Sequence, residues 1–280
     1  MNKIKKGRKT IKQNFYLYNL VIQPKERQEP KAYIELFKQI FNLRQSIRLS
    51  TTYSLRMMSL NFVEDGTLSG TFVKYQNLKE EGWYNSKTNS FQDVNIDENL
   101  HPDGKEVKFY FFPDKHRLVV ESFLTTEQVR MYFDKFLSAV TEGSGIDVVF
   151  NVVKSEEGIS LISTNKHLTK LEISISYTNS DNYNGWERMI DEGNKKANVT
   201  KLKITATGRA DNPIDVKENP LLMSALALSK DNGFATATEQ TQQGKKTISS
   251  EKSPENIGLK YPEGESIIQL LRNKLFGSVN

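Results

Sequence analysis

The sequence predicts an α+β fold, mostly antiparallel sheet with amphipathic helices, arranged as two α+β halves. Three observations predict it. Several runs alternate apolar and polar residues. The clearest is "HLTKLEISISYT" (167–178), with Leu171, Ile173, Ile175 and Tyr177 on one side and Lys170, Glu172, Ser174 and Ser176 on the other. A strand with one wet face belongs to antiparallel sheet. Asp65-Gly66 stands between two such runs, which is a strong hairpin signal. Other segments repeat apolar residues at helical spacing.

In chain order, "MNKIKKGRKTIK" opens the sequence with Lys3, Lys5, Lys6, Arg8, Lys9 and Lys12 and no acid; residues 1–13 read as a flexible basic tail. "NFYLYNLVI" (14–22) reads as an aromatic-rich strand and "QPKERQEP" (23–30) as a loop. "KAYIELFKQIFNL" (31–43) sets Tyr33, Phe37, Ile40 and Phe41 on one helical face. Two strands then flank Asp65-Gly66. Residues 79–105 are polar and mostly aperiodic, a long excursion with one short strand near Trp83. "EVKFYFF" and "HRLVVESF" pair around "PDK", because Pro-Asp favours chain reversal.

Thr125 with Gln128 three residues on forms a capping-box pattern for a helix that Gly143 and Gly145 end. This turn near 145 is the expected seam between halves 14–144 and 145–250. After it come the strand "IDVVFNVVK", a short helix capped by Ser155, the strand at 167–178, a helix around "WERMIDEGNKKA" and the strand "VTKLKITATG". Asn219-Pro220 is an N-cap followed by proline at the first helical position, and that helix stops at Asn232-Gly233. "GFATATEQ" and "KKTISSE" read as a hairpin. Residues 251–280 read as a linker, "SPENIGLKYPEG", and a last amphipathic helix, "ESIIQLLRNKLFG".

The chain has 280 residues, with 15 Phe and 11 Tyr to fill a core. It has no cysteine, which excludes disulfides, a thiol nucleophile and thiolate metal sites. The basic start has no apolar segment of the kind a secretory leader carries, and no apolar run reaches the roughly 20 residues of a membrane span. A cytoplasmic protein with no membrane partner is expected. Six of the 39 bases lie in the first twelve residues, leaving 33 against 34 acids, a net of −1. The basic excess is therefore a property of the tail, and the tail is the part that seeks a polyanion.

No cofactor signature is present: no Walker A, no G-x-G-x-x-G, no nucleophile elbow. His101, His116 and His167 have no metal-ligand spacing, and no metal site is expected from them. "KFYFFPDKHRLVVES" (108–122) puts His116 near Asp114 and Glu121, but on a hairpin the first two sit at the turn and Glu121 well up a strand. A restriction-type nuclease would place an acid before a Glu-x-Lys strand, and Asp97 or Asp103 followed by Glu106 and Lys108 fits that order. In a chain rich in Glu and Lys the match is a loose one. It stands as the enzymatic alternative, a metal-dependent nuclease toxin.

Nucleic-acid binding is better motivated. Mobile lysines neutralise phosphates without reading sequence. The candidate residues are Lys3, Lys5, Lys6, Arg8, Lys9 and Lys12, with loop bases Lys115, Arg117, Lys245 and Lys246 behind them. A third reading is an interaction module that docks a partner protein through 79–105 or the last helix (Ile267, Ile268, Leu270, Leu271, Leu275).

The segments "KAYIELFKQIFNLRQSIRL", "VKFYFFPDKHRLVVES", "HLTKLEISISYTN" and "ALALSKDNGFATATEQTQQGKK" resemble an uncharacterised bacterial domain-of-unknown-function family encoded near phage-defence genes. The order of parts is also similar to phage lambda RexA and RdgC-like proteins. That likeness implies an RdgC-like fold, a homodimer, nonspecific binding to DNA rather than RNA, a partner protein encoded nearby and a role in anti-phage defence. It implies no catalytic residues.

Overall fold

A computed structural model describes residues 9–63, 66–78, 82–95, 97–176 and 185–277. The fold is α+β, and every ladder among those residues is antiparallel. The large sheet uses β1 (Thr10–Gln23), β2 (Ser46–Arg48), β3 (Tyr53–Phe62), β4 (Leu68–Gln76), β7 (Lys105–Phe112), β8 (Arg117–Glu121), β9 (Asp147–Val152) and β14 (Asn256–Pro262). Its order is β14-β1-β8-β7-β4-β3-β2, with β9 added beside β1. A separate ribbon joins β5 (Trp83–Asn85) to β6 (Ser90–Gln92). The small sheet runs β11-β10-β12-β13, from β10 (Leu168–Ser176), β11 (Lys201–Thr207), β12 (Gly233–Thr241) and β13 (Gly244–Ser249).

Burial follows the alternation in the sequence. On one face of the large sheet, Tyr18, Leu20, Phe72, Phe109, Phe111 and Val120 pack under α1 (Pro30–Asn42) and α2 (Thr126–Thr141). Phe37 of α1 stacks on Phe111, ring centroids 4.9 Å apart. Burial of such rings is the largest stabilising term available to a domain of this kind. On the other face, Phe15, Leu17, Tyr110, Phe112, Ile257, Leu259 and Tyr261 pack under α6 (Ile267–Phe276). The small sheet buries Leu171, Ile173, Ile175, Ala235 and Ala237 beneath α5 (Pro220–Asn232), with α3 (Glu156–Ser163) and α4 (Gly185–Lys196) alongside. No helix among the described residues is long and apolar enough to cross a membrane.

The local signals hold in detail. Thr125 accepts from the Gln128 N–H while Gln128 returns a bond to the Thr125 N–H, a complete capping box. Ser155 caps α3 and Asn219 caps α5. Gly143 and Gly145 take φ +70° and +69°, values that L side chains avoid, so only glycine ends α2 this way without strain. The turn at Glu64 and Asp65 and the end of the 167–178 run at Tyr177 lie outside the described residues, as do Lys3, Lys5, Lys6 and Arg8.

Three expectations are corrected. The segment read as a linker contains β14, which pairs with β1 from Thr10↔Pro262 to Tyr16↔Asn256. Its alternating Ile257, Leu259 and Tyr261 are buried against α6, but flanking prolines and Gly258 hide the pattern. The 79–105 excursion holds two short strands rather than one. The basic segment is not tail throughout: β1 begins at Thr10, so Lys12 is a strand residue.

The two sheets meet along a polar seam at the C-terminal turn of α5. Arg117 of β8 donates to Asn19 Oδ1 and to Asp231 Oδ2, both at 2.6 Å. Asn19 Nδ2 donates to Asn232 Oδ1 at 2.7 Å, and the Lys154 N–H donates to the Lys230 carbonyl at 2.9 Å. Asn19 and Asn232 are fully or almost fully buried, so these bonds meet the demand that buried polar groups be paired. A cation at a helix C-terminus also faces the favourable end of the helix dipole.

Candidate nucleic-acid interface

The β1–β14 pairing builds the most distinctive charged feature of the surface. Side chains alternate across a strand, so the register that buries Phe15, Ile257, Leu259 and Tyr261 turns Lys12 and Lys260 the other way. The two lysines are direct cross-strand partners, and both are exposed. Like charges placed directly opposite are destabilising. Among the described residues, their diagonal neighbours on that face, Thr10, Asn14, Gly258 and Pro262, carry no charge to offset them. Neither lysine makes an ion pair among the described residues. Lys9, also exposed, enters the strand at this edge, where its carbonyl accepts from the Glu263 N–H at 2.9 Å.

A second cross-strand lysine pair shows the contrast. Lys74 of β4 lies opposite Lys105 of β7. There, Asp103 sits 3.3 Å from Lys105 Nζ, and the Phe123 ring lies 5.7 Å from both ammonium groups. That pair is compensated within the chain, by a carboxylate and an aromatic face. The Lys12–Lys260 pair is not.

The other expected bases are dispersed. Arg117 is not at the hairpin tip; it is bound to Asp231 in the seam between the sheets and is one-fifth exposed. Lys115 is exposed, with its Nζ 6.0 Å from the Phe276 ring centroid. It lies beyond Arg117, whose partner on β1 is Asn19. Asn19 is seven residues along that strand from Lys12, roughly 23 Å at strand rise. Lys245 and Lys246 project from β13 in the small sheet, and Lys246 pairs with Glu239 at 3.1 Å. The structure thus brings Lys12 together with Lys260; Lys9, three positions earlier and opposite Glu263, falls on the other face of the ladder, and Lys115, Arg117, Lys245 and Lys246 lie elsewhere. Lys260 is not legible as a partner in the sequence, because its strand reads there as a linker.

The nuclease residues do not converge on a metal site. Glu106 and Lys108 are exposed neighbours on one face of β7, opposite Val73 and Thr71. Asp97 lies in the loop before β7, where the Asn99 N–H and side-chain amide hold its carboxyl below the usual range. Among the described residues no three His, Asp or Glu side chains cluster so as to hold a metal ion. His101 stacks on Tyr75 with centroids 4.3 Å apart, and His116 packs 5.2 Å from the Tyr33 ring. As for the last helix, Leu271 is fully buried, and Ile267, Ile268, Leu270 and Leu275 pack against the same core. Its apolar face is therefore already occupied.

No curated protein matches the chain. A family model described as a domain of unknown function, DUF4747, matches residues 12–275, a span that opens inside β1 at Lys12 and closes inside α6 at Leu275. Since nearly the whole chain is matched, sheets and seam included, the protein belongs to the DUF4747 family.

Proposed function

We propose that the chain is a nucleic-acid-binding protein that grips phosphates without reading sequence, through the basic segment and the β1–β14 edge. The observation that carries this reading is the exposed Lys12–Lys260 pair, opposed on one face with no ion-pair partner among the described residues. A phosphate bridging two ammonium groups removes their repulsion and releases counterions. Lys3, Lys5, Lys6, Arg8 and Lys9 precede that edge in sequence and extend the same grip. The likeness drawn from the sequence motifs favours DNA over RNA, a homodimer and a setting in bacterial anti-phage defence, and these belong to the same proposal.

Fluorescence anisotropy of a labelled duplex, titrated with salt, tests the mechanism. Each phosphate contact contributes a slope of about −0.9 in log K against log salt. Lys12→Ser with Lys260→Ser should flatten the slope by about 2, and deletion of residues 1–8 should flatten it further. Binding that is absent, or that ignores salt and both changes, would overturn the proposal. A duplex shortened in the presence of magnesium, with Glu106→Ala abolishing the cleavage, would turn the assignment toward a nuclease.

A further inference from the structure

A cleft of about 330 Å³ opens where the two sheets meet, away from the β1–β14 edge. Lys154, just after β9, lines it and is 3% exposed. Its ammonium has three N–H donors, and its one hydrogen bond among the described residues goes to the Val152 carbonyl at 2.5 Å. The acids that act on it through space are committed elsewhere: Asp231 to Arg117 at 2.6 Å and Glu251 to Arg130 at 3.5 Å. A buried ammonium without an ion-pair partner is costly.

The rest of the lining has a consistent chemistry. Ser174 of β10 is 5% exposed, and its hydroxyl has no partner among the described residues. Lys201 and Arg130 add positive charge, which Glu127 and Glu251 reduce, so the lining nets +1 with Lys154 protonated. Phe150 and Phe234 supply apolar wall. A site of this size with a few convergent polar groups on an apolar surface is how small-molecule sites are built.

We propose that this cleft binds a small organic oxyanion, its carboxylate or phosphate head on Lys154 and the Ser174 hydroxyl, and its flat body against Phe150 and Phe234. The head supplies the negative partner that the buried ammonium lacks. Burial lowers the Lys154 pKa to about 8, which leaves the group mostly protonated at neutral pH and able to serve. The inference is independent of nucleic-acid binding.

Calorimetry on the full chain with phenyl phosphate, benzoate and benzyl alcohol tests it. One of the two anions should bind and raise Tm, and which one does so distinguishes a phosphate head from a carboxylate. Benzyl alcohol should bind at least about tenfold more weakly. Lys154→Met should weaken the preferred anion by about tenfold or more while the chain stays folded, since an isosteric apolar residue suits a buried position. Ser174→Ala, which leaves Lys154 in place, should weaken it by a smaller factor. If Lys154→Met does not fold, the Ser174→Ala result decides alone. Anions that do not bind, binding no tighter than that of benzyl alcohol, or affinity unchanged in whichever of the two variants folds, would overturn the proposal.

Discussion

Single residues in this chain fall into those whose partners are local and those whose partners are remote. Thr125 and Gln128 cap α2 from three residues apart, and Asn219 caps α5 against Leu222, so both were legible in the sequence. Thr125→Ala should cost about 1 kcal/mol in chemical denaturation. Arg117 was not legible: its carboxylate partner is 114 residues away, and only the fold turns a hairpin base into a bond across the seam. A double-mutant cycle of Arg117→Ala and Asp231→Ala should give a coupling of about 1–3 kcal/mol, discounted toward the lower end because both side chains keep some solvent. Additive losses would show that the seam holds without this pair.

Lys154 gives a pH signature. Desolvation depresses it, with Arg130 adding to the depression and Glu251 and Asp231 opposing it. Its folded pKa, about 8, lies below the 10.5 of a free lysine. Between those values the unfolded chain binds more protons than the folded one, so stability rises with pH across that window. Below pH 8 the full penalty is present. The stability of the native chain relative to Lys154→Met should therefore increase by roughly 3 kcal/mol from pH 7 to 10.5. A flat difference would place the ammonium in water.

At the scale of elements, what the sequence hid was pairing rather than periodicity. β14 has only three apolar positions and Gly258 among them, and it is bounded by Pro254 and Pro262, so it reads as a connector until β1 is laid beside it. The candidate interface is half legible for the same reason: Lys12 belongs to a run of bases visible in the sequence, whereas Lys260 lies in a segment that reads as a connector. α6 clamps this edge through Leu271, and Leu271→Ala should cost about 2–5 kcal/mol by leaving a cavity beneath the helix. The junction of α5 and β12 is equally specific. A Cβ at Gly233 would lie 1.8 Å from the Ser174 carbonyl oxygen, so the strands approach too closely for any other residue. Gly233→Ala should separate β10 from β12 and destabilise by about 1–3 kcal/mol or more, read as a lowered denaturation midpoint.

For the whole molecule, fold class was legible because binary patterning decides it: period-two runs gave antiparallel strands, and helical spacing gave the covering helices. The way the sheets share residues was not. β9 belongs to the large sheet although it follows the turn at 145, because Tyr18–Gln23 of β1 offers it an edge that β14 leaves open. That placement creates the seam, the cleft and the isolated lysine.

The long reach of β1 also has a consequence in time. Its first seven residues wait for a strand that begins at Asn256. At about 5–20 residues per second, a ribosome takes roughly 12–50 s to deliver the intervening chain. Through that interval the nascent protein carries an unpaired strand edge, the feature by which chains join one another wrongly. Lys12, exposed within that waiting stretch, puts a charge on the open edge, the device by which edge strands discourage wrong partners until a later segment of the same chain closes it.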